Sequence, residues 1–357
     1  MPLTPQQRVE KVLRGGHADK VPFTMYECMI PQCAAERQMR NRGLCIVNRR
    51  GVFRTHRPGV KVTQQVYWQD GRQFTRTFYD TPQGQLTSLS ESAGFTNWSH
   101  EKLFKGPQDY KAILFLIRDE QYEPTYADFV EAQERLGEDA ICRAGIALEP
   151  LQQLISGEFL DMQTFCLEWM DRRDELLKLY AALVENRRRM YKLVAESPAG
   201  HANYGGNVVP EIIGLENFRR YYLPHYHEAA EVLHKHGKLI GSHLDANCKL
   251  LAEAINQTQL DYVEAFTPAP DTDMSMAQAR AAWPGKVLWL NFPSSLHLAG
   301  DEQVRQAAHD LIEQAGGPDG VIVGITEDMP PHRWRDSCQA IMDGLDRHAA
   351  ARPGQYR

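Results

Sequence analysis

The chain has no apolar run long enough to span a membrane, and its opening, MPLTPQQRVEKVLRGG, lacks the apolar centre of a secretory signal. A cytoplasmic protein that stays off the membrane is therefore expected. There is no excess of positive charge: 40 Lys and Arg stand against 46 Asp and Glu, a formal charge of −6. Nucleic acid, which needs a basic face or stripe, is not an expected partner. The seven cysteines (Cys28, Cys33, Cys45, Cys142, Cys166, Cys248, Cys338) are scattered, odd in number and without a C-x-x-C pair. That excludes a disulfide framework and a zinc knuckle, and most are expected to be small buried hydrophobes. Also missing are G-x-S-x-G, a Walker lysine loop and G-x-G-x-x-G, so the commonest nucleophile and phosphate motifs do not apply. No internal repeat or low-complexity linker is visible.

The 357 residues, 43% hydrophobic and 24% charged, have the profile of a globular enzyme with a sizeable core. A helix is expected over Thr4–Arg14 with Thr4 as N-cap, followed by eight short apolar runs: Val21–Tyr26, Leu44–Asn48, Ala140–Ala147, His201–Tyr204, Leu239–His243, Tyr262–Ala265, Val287–Asn291 and Val321–Ile325. From the third run on, helical stretches alternate with them: Glu175–Ser197, Leu215–His236, Lys249–Gln257, Met276–Trp283, Glu302–Gly316 and His332–Ala350. Parallel strands need such crossovers, and eight of them predict an α/β fold of the (β/α)₈ TIM-barrel type with an N-terminal helical extension. Residues 58–92 read differently. KVTQQVYW and RQFTRTFYD flank Gln69-Asp70-Gly71, and Asp-Gly is a strong two-residue turn signal. DTPQGQL continues as a further turn and strand, and a β-hairpin insertion, a lid or an arm for a homodimer, is expected there within a single domain spanning 1–357.

Catalytic groups in such barrels sit at the C-terminal strand ends. Those ends carry Glu27, Glu149, Tyr204 and Asn207, His243 and Asp245, Glu264, Asn291 and Phe292, and Glu327. Glu264 lies in an apolar run, where an unpaired carboxylate is costly, so it needs a metal, a cation or a proton. His243 and Asp245, two apart on an extended segment, point to one side and suit a divalent metal. A His–Asp hydrogen bond that binds nothing is the competing reading, and the two stand level, with Glu264 and Glu327 tilting toward metal. Cys248 is read as packing, Gly205-Gly206 as a tight turn, and Trp283, Trp289 and Trp334 as core. The Arg187-Arg188-Arg189 run is read as a solvated helix face, and His225, His227, His234 and His236 as surface or helix-end residues.

Four stretches carry a resemblance over nearly the whole chain: RVEKVLRGGHADKVPF, the hairpin followed by TPQGQL, the segment from YGGNVVPEIIGLENF to KLIGSH, and GKVLWLNFPSSL. The chain resembles the uroporphyrinogen decarboxylase superfamily, and more closely its corrinoid-linked methyltransferase and demethylase branch. That resemblance implies the same barrel and a zinc held by His-x-Cys after the fifth strand and Cys after the eighth. It also implies methyl transfer to or from cobalamin on a separate corrinoid protein. Here His243 matches the first ligand, Asp245 stands in place of the Cys, and Thr326-Glu327 falls where the last Cys would be. Oxygen ligands suit an oxygen substrate better than thiol activation. The decarboxylases follow the first strand with Arg-Gln-Ala-Gly-Arg, whereas this chain has Tyr26-Glu27-Cys28-Met29-Ile30, and Glu27 would repel a polycarboxylate.

The leading expectation is a methyltransferase or O-demethylase component on a small-molecule substrate. His243, Asp245 and Glu327 would hold a divalent ion, zinc first. Glu27, Glu264 and Tyr204 would be catalytic, and Asn207, Asn291, Phe292 and Glu149 would contact substrate. A metal-free decarboxylase or lyase using Glu264 and Glu27 is the alternative, and a non-catalytic binding barrel the third.

Overall fold

The computed structural model describes residues 2–93 and 96–356. Two compact units are interleaved along the chain. The first is built from 1–52, 125–146 and 194–357, the second from 53–124 and 147–193.

The first unit contains the barrel. Its eight parallel strands are Phe23–Tyr26, Leu44–Arg49, Ala140–Gly145, His201–Tyr204, Leu239–His243, Tyr262–Phe266, Val287–Asn291 and Val321–Ile325. Each pairs with its successor, and the eighth closes on the first through Phe23 opposite Val323. The last three strands are buried at every position, which is why they read as largely apolar stretches rather than as alternating ones. The N-terminal helix Pro5–Leu13 begins with a capping box. Thr4 accepts from the Gln7 backbone N–H, and the Gln7 side chain accepts from the Thr4 backbone N–H. The expected helix Leu215–His236 is two helices, Pro210–Tyr221 and Leu223–His234, which part at Tyr222 because Pro224 has no N–H to continue the ladder, and the first is itself interrupted at Gly214 with φ of 68°. His225 is buried rather than at the surface, since it shares the inner stripe with Tyr226, Ala229, Ala230 and Leu233. No helix among the described residues is long and apolar enough to cross a membrane.

In the second unit the expected hairpin is half of a four-stranded antiparallel sheet: Lys61–Gln69, Arg72–Thr81, Gly84–Ala93 and Thr96–Glu101. Asp70 and Gly71 form the first turn with φ of 50° and 74°, the left-handed pair a type I′ hairpin requires. Helix Tyr110–Arg118 packs on the middle strands. The Arg187–Arg189 run is not a uniformly solvated face. Arg187 is buried, its Nε donating to the Leu148 carbonyl at 2.8 Å and its Nη2 bonded to Gln153. Arg188 and Arg189 pair with Glu185 and Asn186 at 2.7 and 2.6 Å.

Candidate active site

Parallel register puts His243 of the fifth strand directly opposite Glu264 of the sixth. The strand then bulges. The register shifts between Glu264 and Phe266, and Ala265 takes φ of 58°, an uncommon conformation for a residue with a Cβ. Phe266 packs edge-on against Trp283. Glu264, fully buried, gathers four partners. Arg143 from the third strand sits 2.8 Å from Oε1, and the Tyr26 hydroxyl donates to the same oxygen. The Asn203 amide donates to Oε2 at 2.8 Å, and His243 Nδ1 lies 2.9 Å from Oε2. Arg143 also donates to the Tyr26 hydroxyl at 3.2 Å. This is how the chain satisfies a carboxylate in an apolar strand: a buried guanidinium supplies the cation that burial demands.

Burial by itself would raise the Glu264 carboxyl, but Arg143 and then His243 hold it well below the ordinary range. Burial pulls the His243 imidazolium down, whereas Glu264 and Asp245 more than offset this and push it up to about 10. Burial and the charge of Glu264 raise the Tyr26 phenol, so it stays protonated and donates.

The other His243 nitrogen, Nε2, lies 3.4 Å from Asp245 Oδ2. Among the described residues, one ligand-type atom each of His243, Asp245 and Glu327 lies within 4.8 Å of the others. Burial raises the Glu327 carboxyl, and the charge of Asp245 adds to it. Gly206, with φ of 148°, flanks the imidazole. A Cβ there would stand 3.3 Å from that of His243.

The remaining expected residues fall in different places. Glu27 forms an ion pair with Arg49 at 3.1 Å, and the Arg49 guanidinium lies 4.0 Å over the Tyr26 ring. Glu27 is thus a partner of a cation rather than a bare repelling charge. Tyr204 is buried with its ring edge-on to Tyr226 of the outer helix, and its neighbour Asn203 is the residue that reaches Glu264. Asn291 spends its amide on strand ends, accepting from the Thr326 N–H at 2.9 Å and donating to Thr267 Oγ1 at 3.4 Å. Phe292 is core, packed on His297. Asn207 is exposed with φ of 56°. Glu149 belongs to the second unit, where it is buried at the start of helix Pro150–Ser156. Cys248 is buried, its Sγ 3.6 Å from the Leu244 carbonyl. Arg143, Tyr26, Asn203 and Arg49 were not singled out in the sequence. Arg143 alone carries a signal there, a lone charge inside the apolar run ICRAGI.

A closed eight-stranded parallel barrel with titratable groups converging at its strand ends has the architecture of a (β/α)₈ enzyme. The chain belongs to the uroporphyrinogen decarboxylase family, whose model matches residues 151–348. No curated protein matches the sequence. Among solved structures, a methyltransferase from Methanosarcina mazei superposes with a TM-score of 0.60 at 11% identity, covering 97% of this chain and 99% of that one. An IOLI protein with a bound zinc atom covers 66% of this chain and 84% of its own at a TM-score of 0.34 and 11% identity.

Proposed function

We propose that this protein is the metal-dependent component of a methyl-transfer system, a methyltransferase or O-demethylase working with a corrinoid protein. The observation that carries the reading is the division of labour at His243. Glu264 holds Nδ1, Nε2 is left beside the carboxylate of Asp245, and a Glu327 carboxylate oxygen falls in the same cluster. Histidine ligands to metals keep their second nitrogen on a carboxylate or carbonyl in this way. The donor set fits a divalent ion: one imidazole and two carboxylates, whose mutual repulsion an ion would relieve. A divalent ion held there, zinc being our first choice, supplies Lewis acidity toward a substrate oxygen.

The chain's own residues set up that site. Arg143, Tyr26 and Asn203 fix Glu264, and Glu264 fixes the ring plane and tautomer of His243. Glu264 is then an orienting group rather than a proton carrier, because three donors and His243 already occupy its oxygens. This weighs against a metal-free lyase that exchanges protons through Glu264. Asp245 and Glu327 replace sulfur by oxygen, which favours a methoxy or hydroxyl substrate over a thiol. The corrinoid partner rests on the resemblance of the sequence to the corrinoid-linked branch of the superfamily.

The test is elemental mass spectrometry on the purified chain beside the His243→Ala/Asp245→Ala variant. Near-stoichiometric divalent ion that disappears in the variant is the expected result. A wild-type chain that takes up no ion after incubation with zinc, manganese or iron(II) would overturn the reading. Methyl transfer from methoxy compounds to free cob(I)alamin, followed by its visible spectrum, tests the reaction.

A further inference from the structure

The second unit leaves one sheet edge without protection. Among the described residues, strand Lys61–Gln69 is hydrogen-bonded on one side only, to Arg72–Thr81, and eight of its nine residues are exposed. Natural edges are blunted by proline, inward charges, bulges or shortness. This one has nine residues in unbroken register, no proline, and a charge only at Lys61.

Its exposed apolar residues all lie on one face. Val62, Val66 and Trp68 are 50%, 54% and 69% exposed and share the even-numbered side. Across the sheet that side continues into Tyr79 and Leu86 and into Thr77, and Leu86 and Thr77 are buried. The row is therefore an extension of a layer that the inner strands bury and the edge strand leaves open.

We propose that this edge pairs with the same edge of a second copy of the chain, antiparallel and two-fold symmetric about Gln65. In that register Lys61 faces Gln69 of the second copy, Val62 faces Trp68, Thr63 faces Tyr67 and Gln64 faces Val66. All nine positions find partners. Every even residue meets an even one, so Val62, Val66 and Trp68 of both copies fall on one face, whereas an odd slip would split them between faces. The ends are complementary in charge, since Lys61 of one copy comes beside the Asp70 turn of the other. The two-residue turn fixes the alternation of backbone bonding, so the odd positions bond to Arg72–Thr81 and the even positions point their N–H and C=O outward. Gln65 then meets its own copy as a non-hydrogen-bonded pair, with Cα atoms roughly 4.5 Å apart.

That last feature gives a sharp test. Gln65→Cys should form a disulfide-linked dimer under mild oxidation, because about 4.5 Å lies within the Cα range a disulfide accepts. The chain without the added cysteine is the control. Sedimentation velocity on the full-length protein should show a dimer, and Val66→Lys should weaken it by roughly 10-fold through two symmetric losses of an apolar cross-strand contact. Trp68→Glu provides a second variant, and a circular dichroism spectrum matching wild type establishes that each is folded. A monomer at all accessible concentrations would overturn the proposal. So would a dimer that folded Val66→Lys and Trp68→Glu chains keep unchanged, or cross-linking by Gln64→Cys in place of Gln65→Cys.

Discussion

Removing the Arg143 guanidinium while leaving Glu264 in place isolates the charge balance at the centre of the barrel. Arg143→Met keeps the length and much of the volume of the side chain. It deletes the cation 2.8 Å from Glu264 and the donor 3.2 Å from the Tyr26 hydroxyl. Both members of the ion pair are almost fully buried, so solvent screening does little to reduce their interaction. Losing one member of such a pair costs about 3–5 kcal/mol, most of it the penalty of an uncompensated charge rather than a lost attraction. Tyr26, Asn203 and His243 remain as donors to the carboxylate and place the expectation toward the lower end of that range. Removing both charges should behave differently. Arg143→Met/Glu264→Leu should be more stable than Arg143→Met alone, while His243 loses its orienting partner. Urea unfolding followed by tryptophan fluorescence suits the measurement, because the Trp289 ring lies 5.5 Å from the guanidinium. A single variant that loses less than about 1 kcal/mol, or a double variant as unstable as the sum of both singles, would refute the account of Glu264 as a charge held ionised by Arg143.

Glu264→Gln should lower affinity for a divalent ion by roughly 10–100-fold while leaving His243, Asp245 and Glu327 in place, as read by isothermal titration calorimetry. Burial pushes the His201 imidazole down to about 3 against an ordinary 6.5. Between those values the unfolded chain binds the extra proton, so stability is lost as pH falls from about 6.5 toward 3. His201→Gln should flatten that acid limb of a thermal-midpoint profile, and an unchanged limb would count against it. Gly344→Ala should be severely destabilising, since its Cβ would lie 2.2 Å from the Arg305 carbonyl oxygen, where two helices touch backbone to backbone. Thr4→Ala should cost about 1 kcal/mol through the lost cap, measured by the same urea titration.

The eight strands were legible because each is a short apolar run that ends in polar residues, and the parallel barrel follows from their alternation with helices. His243, Asp245, Glu264 and Glu327 were legible as strand-end groups by the same rule. What surrounds them was not. Tyr26 and Glu264 are 238 residues apart, and only closure of the barrel brings them into contact. Tyr204 and Asn203 differ by one position, and which of the two faces inward depends on a pleat that a four-residue strand does not reveal. Asn291 has the chemistry of a substrate ligand, yet both ends of its amide bridge neighbouring strand ends. The four-stranded sheet exceeded the expected hairpin and following strand because Thr96–Glu101 has few of the large apolar residues that mark a strand.

The interleaving of the two units bears on the order of assembly. The third barrel strand, which carries Arg143, lies in the island 125–146, and the chain leaves for the other unit on both sides of it. Both of its pairings, to Leu44–Arg49 and to His201–Tyr204, therefore join parts of the chain separated by long detours. Such contacts close large loops and form late. A ribosome releasing this chain would deliver strands four to eight as a contiguous series. The largest loop is closed by the first and eighth strands, through Phe23 opposite Val323, while the cation that Glu264 depends on comes from a strand whose neighbours on both sides lie across a detour.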